Sequence, residues 1–253
     1  MRVKVLASGS KGNSTIVLSD NTKILIDAGI GLQQIKYALD TEDIDISSIN
    51  AVLVTHTHSD HIKGLASIVK KYRLKVYASI DSVIELSKNI PIESIIVIED
   101  TFNINDIEIT PLEVSHDVPC YGFIIECGNQ SIVYITDTGY INKKYYDITK
   151  NRNIYIIESN HDEQMLMDGP YPYHLKQRVI GDKGHMSNHY AGKYLAKVIG
   201  DNTKYVFLAH ISENNNTYEL ALEQVKEELS LITFDNNNII VTHQNESSIM
   251  VEV

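Results

Sequence analysis

The run Thr55-His56-Thr57-His58-Ser59-Asp60-His61 follows directly on the apolar stretch Ala51 to Val54, and no other feature of the chain restricts its fold as strongly. Three imidazoles and a carboxylate packed this densely at the end of an apolar run are costly unless something coordinates them. Imidazole suits zinc, copper, iron and nickel, and carboxylate oxygen extends the choice to manganese. No thiolate stands nearby to favour a closed structural zinc site. The cluster therefore points to a catalytic metal centre rather than to a polar surface loop.

Other polar residues fall in the same way. Asp27 follows I-L-I, His116 follows E-V-S, Asp137 follows V-Y-I-T, Glu158 follows Y-I-I and His210 follows V-F-L-A, just as His56 follows L-V-T. Each closes an apolar, β-branched run that reads as a strand. A sheet sandwich brings all six to one edge, where strand ends hold side chains more rigidly than free loops do.

The rest of the chain supports that arrangement. Short runs at Val3 to Leu6, Thr15 to Leu18 and Ile24 to Ile26, separated by turns such as S-G-S-K-G-N, predict an antiparallel meander. A helix follows with Leu32, Ile35 and Leu39 on one face, then the strand carrying the histidine cluster. Helices are predicted over 61–72 and 81–88, with strands over 74–77, 95–98, 107–114, 122–126 and 131–136. The second half repeats the scheme with helices near 142–150, 187–199 and 217–229 and strands over 154–158, 205–209 and 238–242, Ser187 serving as an N-cap. Many strands with helices on both sides predict one α/β domain spanning residues 1–253, layered αββα.

Composition sets wider limits. With 43% hydrophobic and 22% charged residues the chain reads as globular, not disordered. A formal net charge of -11 argues against charge-driven, nonspecific binding to nucleic acid, although bound cations would offset acidic residues locally. Cys120 and Cys127 are too few for a disulfide framework and suggest a reducing compartment. No signal-peptide core and no apolar run of about 20 residues occurs, so the cytoplasm is the expected location and no membrane association is expected.

H-T-H-S-D-H resembles the H-x-H-x-D-H signature of the metallo-β-lactamase superfamily, whose other motifs occur in order as I-D-A-G at Asp27, S-H-D at His116, T-D-T-G at Asp137 and L-A-H-I-S at His210. The resemblance covers essentially the whole chain. S-G-S-K-G-N-S, E-S-N-H-D at Glu158 to Asp162, G-D-K-G-H-M-S-N at Gly181 to Asn188 and H-I-S-E-N-N-N at His210 to Asn216 are similar to the YycJ/WalJ-type, nuclease-like subgroup, regarded as exonucleases acting on DNA. The resemblance implies the four-layer αββα metallo-β-lactamase sandwich and two divalent metal ions, zinc, manganese or iron. It implies that His56, His58 and His116 hold one ion, that Asp60, His61 and His210 hold the other, and that Asp137 bridges them. Asp27 would hydrogen-bond a ligand histidine or its loop.

Two such ions about 3.5–4 Å apart would hold a bridging hydroxide and stabilise an in-line phosphoryl displacement, with Asp60 also orienting the nucleophile. The leaving oxygen still needs a proton. His185, in a G-H-M-S-N setting that resembles the His-Ser-Thr loop of tRNA-processing phosphodiesterases, is the candidate donor, paired with Glu158; capping the next helix is its competing role. E-S-N-H-D departs from that pattern by adding Asn160, His161 and Asp162. His161 is either a phosphate contact or a surface residue, and Asn160 is grouped with it as a substrate contact. Asn214 and Asn215 either touch substrate or form a turn. Lys176, Arg178 and Lys183 form a cationic lip beside His185 or are simply solvated. Cys120 is either a neighbour of the site or a small buried thiol. His174, His189 and His243 read as structural or exposed. The expected function is a metal-dependent phosphodiesterase or exonuclease on a nucleic acid, DNA in particular. The alternatives are a hydrolase of a small ester, thioester or lactone, and a noncatalytic binding domain. Nothing in the sequence decides the oligomeric state.

Overall fold

The period-2 alternation of apolar residues becomes two seven-stranded sheets whose faces are buried on both sides. The computed structural model describes residues 1–253. Strands β1 (Arg2–Ala7), β2 (Ser14–Leu18) and β3 (Lys23–Ile26) pair antiparallel, and β3 then pairs parallel with β4 (Ala51–Leu53), β5 (Lys75–Ala78) and β6 (Ile95–Val97). The second sheet opens antiparallel with β7 (Phe102–Ile104), β8 (Ile107–Val114), β9 (Cys120–Cys127) and β10 (Gln130–Ile135), and continues parallel through β11 (Ile154–Glu158), β12 (Tyr205–Ala209) and β13 (Ile239–Val241). The last strand, β14 (Val251–Glu252), returns to pair with β1.

Helices α1 (Leu32–Asp40), α2 (Ser59–Ile62), α3 (Leu65–Tyr72) and α4 (Val83–Ser87) belong to the first half, and α5 (Tyr146–Thr149), α6 (Glu163–Asp168), α7 (Tyr173–Ile180), α8 (Asn188–Val198) and α9 (Tyr218–Leu229) to the second. Successive residues of one strand supply different cores. Ile24, Ile26, Ala51 and Leu53 meet Ile132, Ile154, Ile156 and Phe207 between the sheets, whereas Leu25 and Val52 pack under α1 and α3. Tyr155, Ile157, Val206 and Leu208 pack under α8 and α9. Three cores of similar size, one between the sheets and one outside each, make the four αββα layers.

The single helix predicted over 61–72 is two helices. Gly64 breaks it, and a Cβ there would lie 2.0 Å from the Ile30 carbonyl oxygen, so this turn has to hug the 28–30 loop. The prediction over 81–88 shortens to α4 for a related reason, its first turn being 3₁₀. Four elements escaped the sequence pattern: β7, β14, α6 and α7. The two strands are too short to show alternation, and α7 buries no residue fully. Ser187 caps α8 as expected, accepting from the Tyr190 amide. No helix is long and apolar enough to cross a membrane.

Candidate metal centre

Parallel pairing places the C-terminal ends of β3, β4, β10, β11 and β12 along one rim. The chain turns sharply there. Asp27, Asp137 and His210, the residues just past β3, β10 and β12, have φ of 57°, 55° and 54°. A left-handed backbone at a non-glycine residue costs about 1–3 kcal/mol and persists only where surrounding contacts hold it. Here the turn swings each side chain off its strand and into the gap between the sheets.

The side chains converge as predicted from the sequence. His56, His58 and His116 bring a nitrogen each within 4.8 Å of one another, and so do the donor atoms of Asp60, His61 and His210. Asp137 lies between the triads: it groups with His56 and His61, its Oδ2 is 3.3 Å from His61 Nε2, and its Oδ1 is 3.5 Å from His210 Nδ1. His56 Nε2, His210 Nε2 and Asp137 Oδ2 are buried with no hydrogen-bond partner. Leaving three strong polar atoms unpaired in one spot is expensive unless a cation takes them. The residues thus fit divalent metal ions.

Titration behaviour carries the same signature. Burial works against charge on His61, yet Asp137 and Asp27 lift it well above the usual imidazole range. His210, also buried, is pushed up to about 10 by Asp137 and by the nearby carboxylates of Asp60 and Glu158. The carboxylates create a field strong enough to hold protons on buried imidazoles, which is the field a cation would neutralise. His56 goes the other way, burial and the neighbouring His61 holding it low.

Supporting contacts orient the rings. Asp27 is fully buried; its Oδ1 accepts from the Thr55 amide (2.8 Å), and its Oδ2 accepts from the Thr55 hydroxyl (2.8 Å) and lies 2.7 Å from His61 Nδ1. That leaves His61 Nε2 turned into the cluster. His116 Nδ1 faces the Gly184 carbonyl at 3.3 Å. The Cys120 thiol is buried, its pKa pushed far up by that burial, and it lies 3.6 Å from His56 Nδ1, so both sequence alternatives describe it.

Glu158 is the hub of the neighbouring group. Its Oε1 lies 2.7 Å from His185 Nδ1 and 3.0 Å from His210 Nδ1, while Oε2 accepts from the amides of Thr138 (2.9 Å) and Met186 (3.2 Å). Burial would raise its pKa, but His185 and these hydrogen bonds hold it at about 2. His185 is shifted upward in turn, the carboxylate outweighing burial. With Nδ1 engaged, its free nitrogen is Nε2.

Other sequence candidates are placed differently. Asn160, expected at the substrate, turns inward: its amide donates to the His210 carbonyl oxygen at 2.8 Å, so it positions a candidate ligand instead. Asn215 is also buried, its Nδ2 facing Ser212 Oγ at 3.5 Å and its carbonyl accepting from the Asp162 amide, which gives it the turn role. Asn214 is exposed and donates to the Tyr171 hydroxyl. His161 is not a surface residue. It is 1% exposed, neither ring nitrogen has a partner, and burial pushes its pKa down to about 4. Lys183 and Arg178 line a cavity of about 260 Å³ with His116 and His185, whereas Lys176 turns away to the Met167 carbonyl. His174 is exposed, His189 pairs with Glu228, and His243 packs on Tyr218, all outside the cluster.

Three contributors were not foreseen. Asn13 Nδ2 lies 3.0 Å from His61 Nε2, with its own oxygen accepting from the Gly9 amide. The Ser8 hydroxyl accepts from the His210 amide at 2.7 Å. Asp117 Oδ1 is 3.3 Å from both His58 Nε2 and His116 Nε2. The signal for the first two was the G-S-K-G-N turn at the end of β1, on the same rim. Gly29 lets this turn approach α2: a Cβ at Gly29 would sit 1.7 Å from the Asp60 carbonyl oxygen. Gly29→Ala should therefore shift the helix carrying Asp60 and His61, cost about 1–3 kcal/mol of stability, and lower metal uptake. An unchanged denaturation midpoint with full metal content would contradict this packing.

A two-sheet sandwich with clustered imidazoles and carboxylates along one strand-end rim defines a metal-dependent hydrolase of the metallo-β-lactamase fold. The family model described as "Beta-lactamase superfamily domain" matches residues 22–211. Across 260 aligned residues the chain is 36% identical to "Exodeoxyribonuclease YycJ" of Bacillus anthracis, covering 100% of this chain and 98% of the relative. It is 36% identical over 230 residues to "Exodeoxyribonuclease WalJ" of Streptococcus pneumoniae, covering 87% and 85%. The solved metallo-beta-lactamase fold protein YhfI from Bacillus subtilis superimposes with a TM-score of 0.73 over 99% of both chains at 16% identity, a likeness of fold. The chain belongs to the beta-lactamase superfamily and, within it, to the family of YycJ and WalJ.

Proposed function

We infer that the chain is a dinuclear, metal-dependent phosphodiesterase that degrades DNA from its ends. The observation that carries this reading is the pair of triads flanking Asp137, with His56 Nε2, His210 Nε2 and Asp137 Oδ2 buried and unpartnered. His56, His58 and His116 would hold one ion, Asp60, His61 and His210 the second, and Asp137 would face both; zinc, manganese and iron all match this donor set. Bound there, the metals supply Lewis acidity and an activated water for attack at phosphorus. The relatives named exodeoxyribonucleases support DNA as the substrate.

The remaining steps belong to the chain's own residues. Access is narrow, because only His58, His185 and Asp60 of the cluster show appreciable side-chain exposure (34%, 24% and 21%). A phosphate reaching the centre therefore passes His185. Glu158 holds the imidazole through Nδ1 and keeps it protonated, so that Nε2 carries the proton the departing alkoxide needs. A thioester, whose thiolate leaves without a proton, has no use for this pair, which weighs against that substrate; an ester or lactone also expels an alkoxide and is separated by the substrate assay below.

Metal analysis of the purified protein, followed by degradation assays on end-labelled DNA and RNA, tests the reading. Metal-dependent release of short products from DNA is expected; no cleavage with zinc, manganese, cobalt or iron would sink it. His185→Ala should lower turnover of DNA by about a hundredfold or more. It should affect bis(p-nitrophenyl) phosphate far less, since nitrophenolate leaves without a proton. Equal losses on both substrates would remove His185 as the proton donor.

A further inference from the structure

The cavity beside His185 is more than the cationic lip expected from the sequence. Helix α7 and the turn after it form its outer wall, His116 and His185 its inner wall, and Tyr171, Leu175 and Val179 an apolar side. Arg178 reaches across the opening and donates to Asp117 Oδ2. The other oxygen of Asp117 is the one 3.3 Å from His58 and His116. One carboxylate thus touches two candidate metal-holding rings on one side and a 62% exposed guanidinium on the other.

We propose that this cavity is the subsite for a phosphate group of the substrate backbone, and that Arg178 is its anion-binding arm, parked on Asp117 until phosphate takes the carboxylate's place. The inference rests on the phosphodiesterase reading and adds to it where the strand is gripped. A guanidinium fork pairs with phosphate as well as with carboxylate, so the exchange conserves its hydrogen bonds. The displaced Asp117 Oδ2 does not become an orphan, because the side chain is 29% exposed and water can take Arg178's place, while Oδ1 stays beside His58 Nε2. Exposed Lys183, on the same wall, adds a second positive charge in a chain whose net charge is otherwise -11. Asp117 is then a positioning residue: it presents Arg178 to the substrate and steadies His58.

The two roles separate kinetically. Metal-loaded wild-type protein and the Arg178→Ala, Arg178→Lys and Asp117→Asn variants would be assayed on an end-labelled DNA oligonucleotide across a series of salt concentrations. Arg178→Ala should raise KM about tenfold or more with kcat within about threefold, and should flatten the slope of log KM against log salt by about 0.7 to 0.9, the loss of one phosphate contact. Arg178→Lys should restore the slope but only part of the affinity, since an ammonium cannot form the fork. Asp117→Asn should act chiefly on kcat. A wild-type KM and salt slope in Arg178→Ala would overturn the inference while leaving the phosphodiesterase intact. Failure of the wild type to hydrolyse both DNA and bis(p-nitrophenyl) phosphate would overturn the underlying reading as well.

Discussion

Asp137→Ala is expected to lose most of its bound metal and to turn DNA over at least about a thousandfold more slowly, beyond the 10- to 100-fold typical of residues that only support a ligand. Asp137 is the carboxylate set between the triads: it groups with His56 and His61, and it also lies 3.5 Å from His210 Nδ1 and 3.7 Å from His185 Nδ1. Burial would raise its pKa, yet His210 and His61 hold it far below the usual carboxylate range. Its removal takes away the one charge common to the whole cluster. Metal content measured alongside single-turnover cleavage checks this. A variant retaining full metal and near-normal cleavage would show that the two triads do not act as one centre.

Glu158→Gln is expected to cost about 3–5 kcal/mol of stability, because it breaks a fully buried, charge-bearing network, and to slow DNA cleavage by about a thousandfold. The substitution preserves shape but not acceptor capacity. Four donors converge on the two oxygens of Glu158, from His185, His210 and the amides of Thr138 and Met186. A carboxamide can accept at only one end, so its NH₂ must oppose either two backbone amides or two imidazoles. The turn after β10 and the segment leading into α8 are both anchored here, and His185 loses the charge that shifts its pKa upward. Chemical denaturation with a parallel assay of cleavage decides the matter; a midpoint and rate like those of wild type would mean that these contacts do not hold the site. Comparison with His185→Ala separates the two contributions, since that variant lacks the proton donor but keeps the Glu158 anchor on Thr138 and Met186.

Much of the site could be read from the chain because its residues sit where apolar runs stop. β4, β10, β11 and β12 are nearly uninterrupted apolar runs, and the polar residue ending each is conspicuous against them. Reading Glu158 beside His185 came from the motif resemblance, not from spacing, and the structure sets them 2.7 Å apart. Asn160 could not be placed from the sequence because an asparagine in a polar loop looks the same whether it faces solvent or satisfies a buried carbonyl. Arg178 and Asp117 were unreadable as a pair: they are separated by 61 residues, and α7 is polar on too many sides to announce a buried face.

What the amino-acid order determined alone was the longer strands and the donors at their ends, since each depends on neighbours a few residues away. The tertiary structure decided which donors come together, which histidine is held by Asp27 and which by Glu158, and how the backbone turns at Asp27, Asp137 and His210. Those outcomes depend on contacts such as Ser8 with His210, 202 residues apart. A left-handed turn at an aspartate or histidine is unfavourable in isolation and exists only because the two packed sheets hold it.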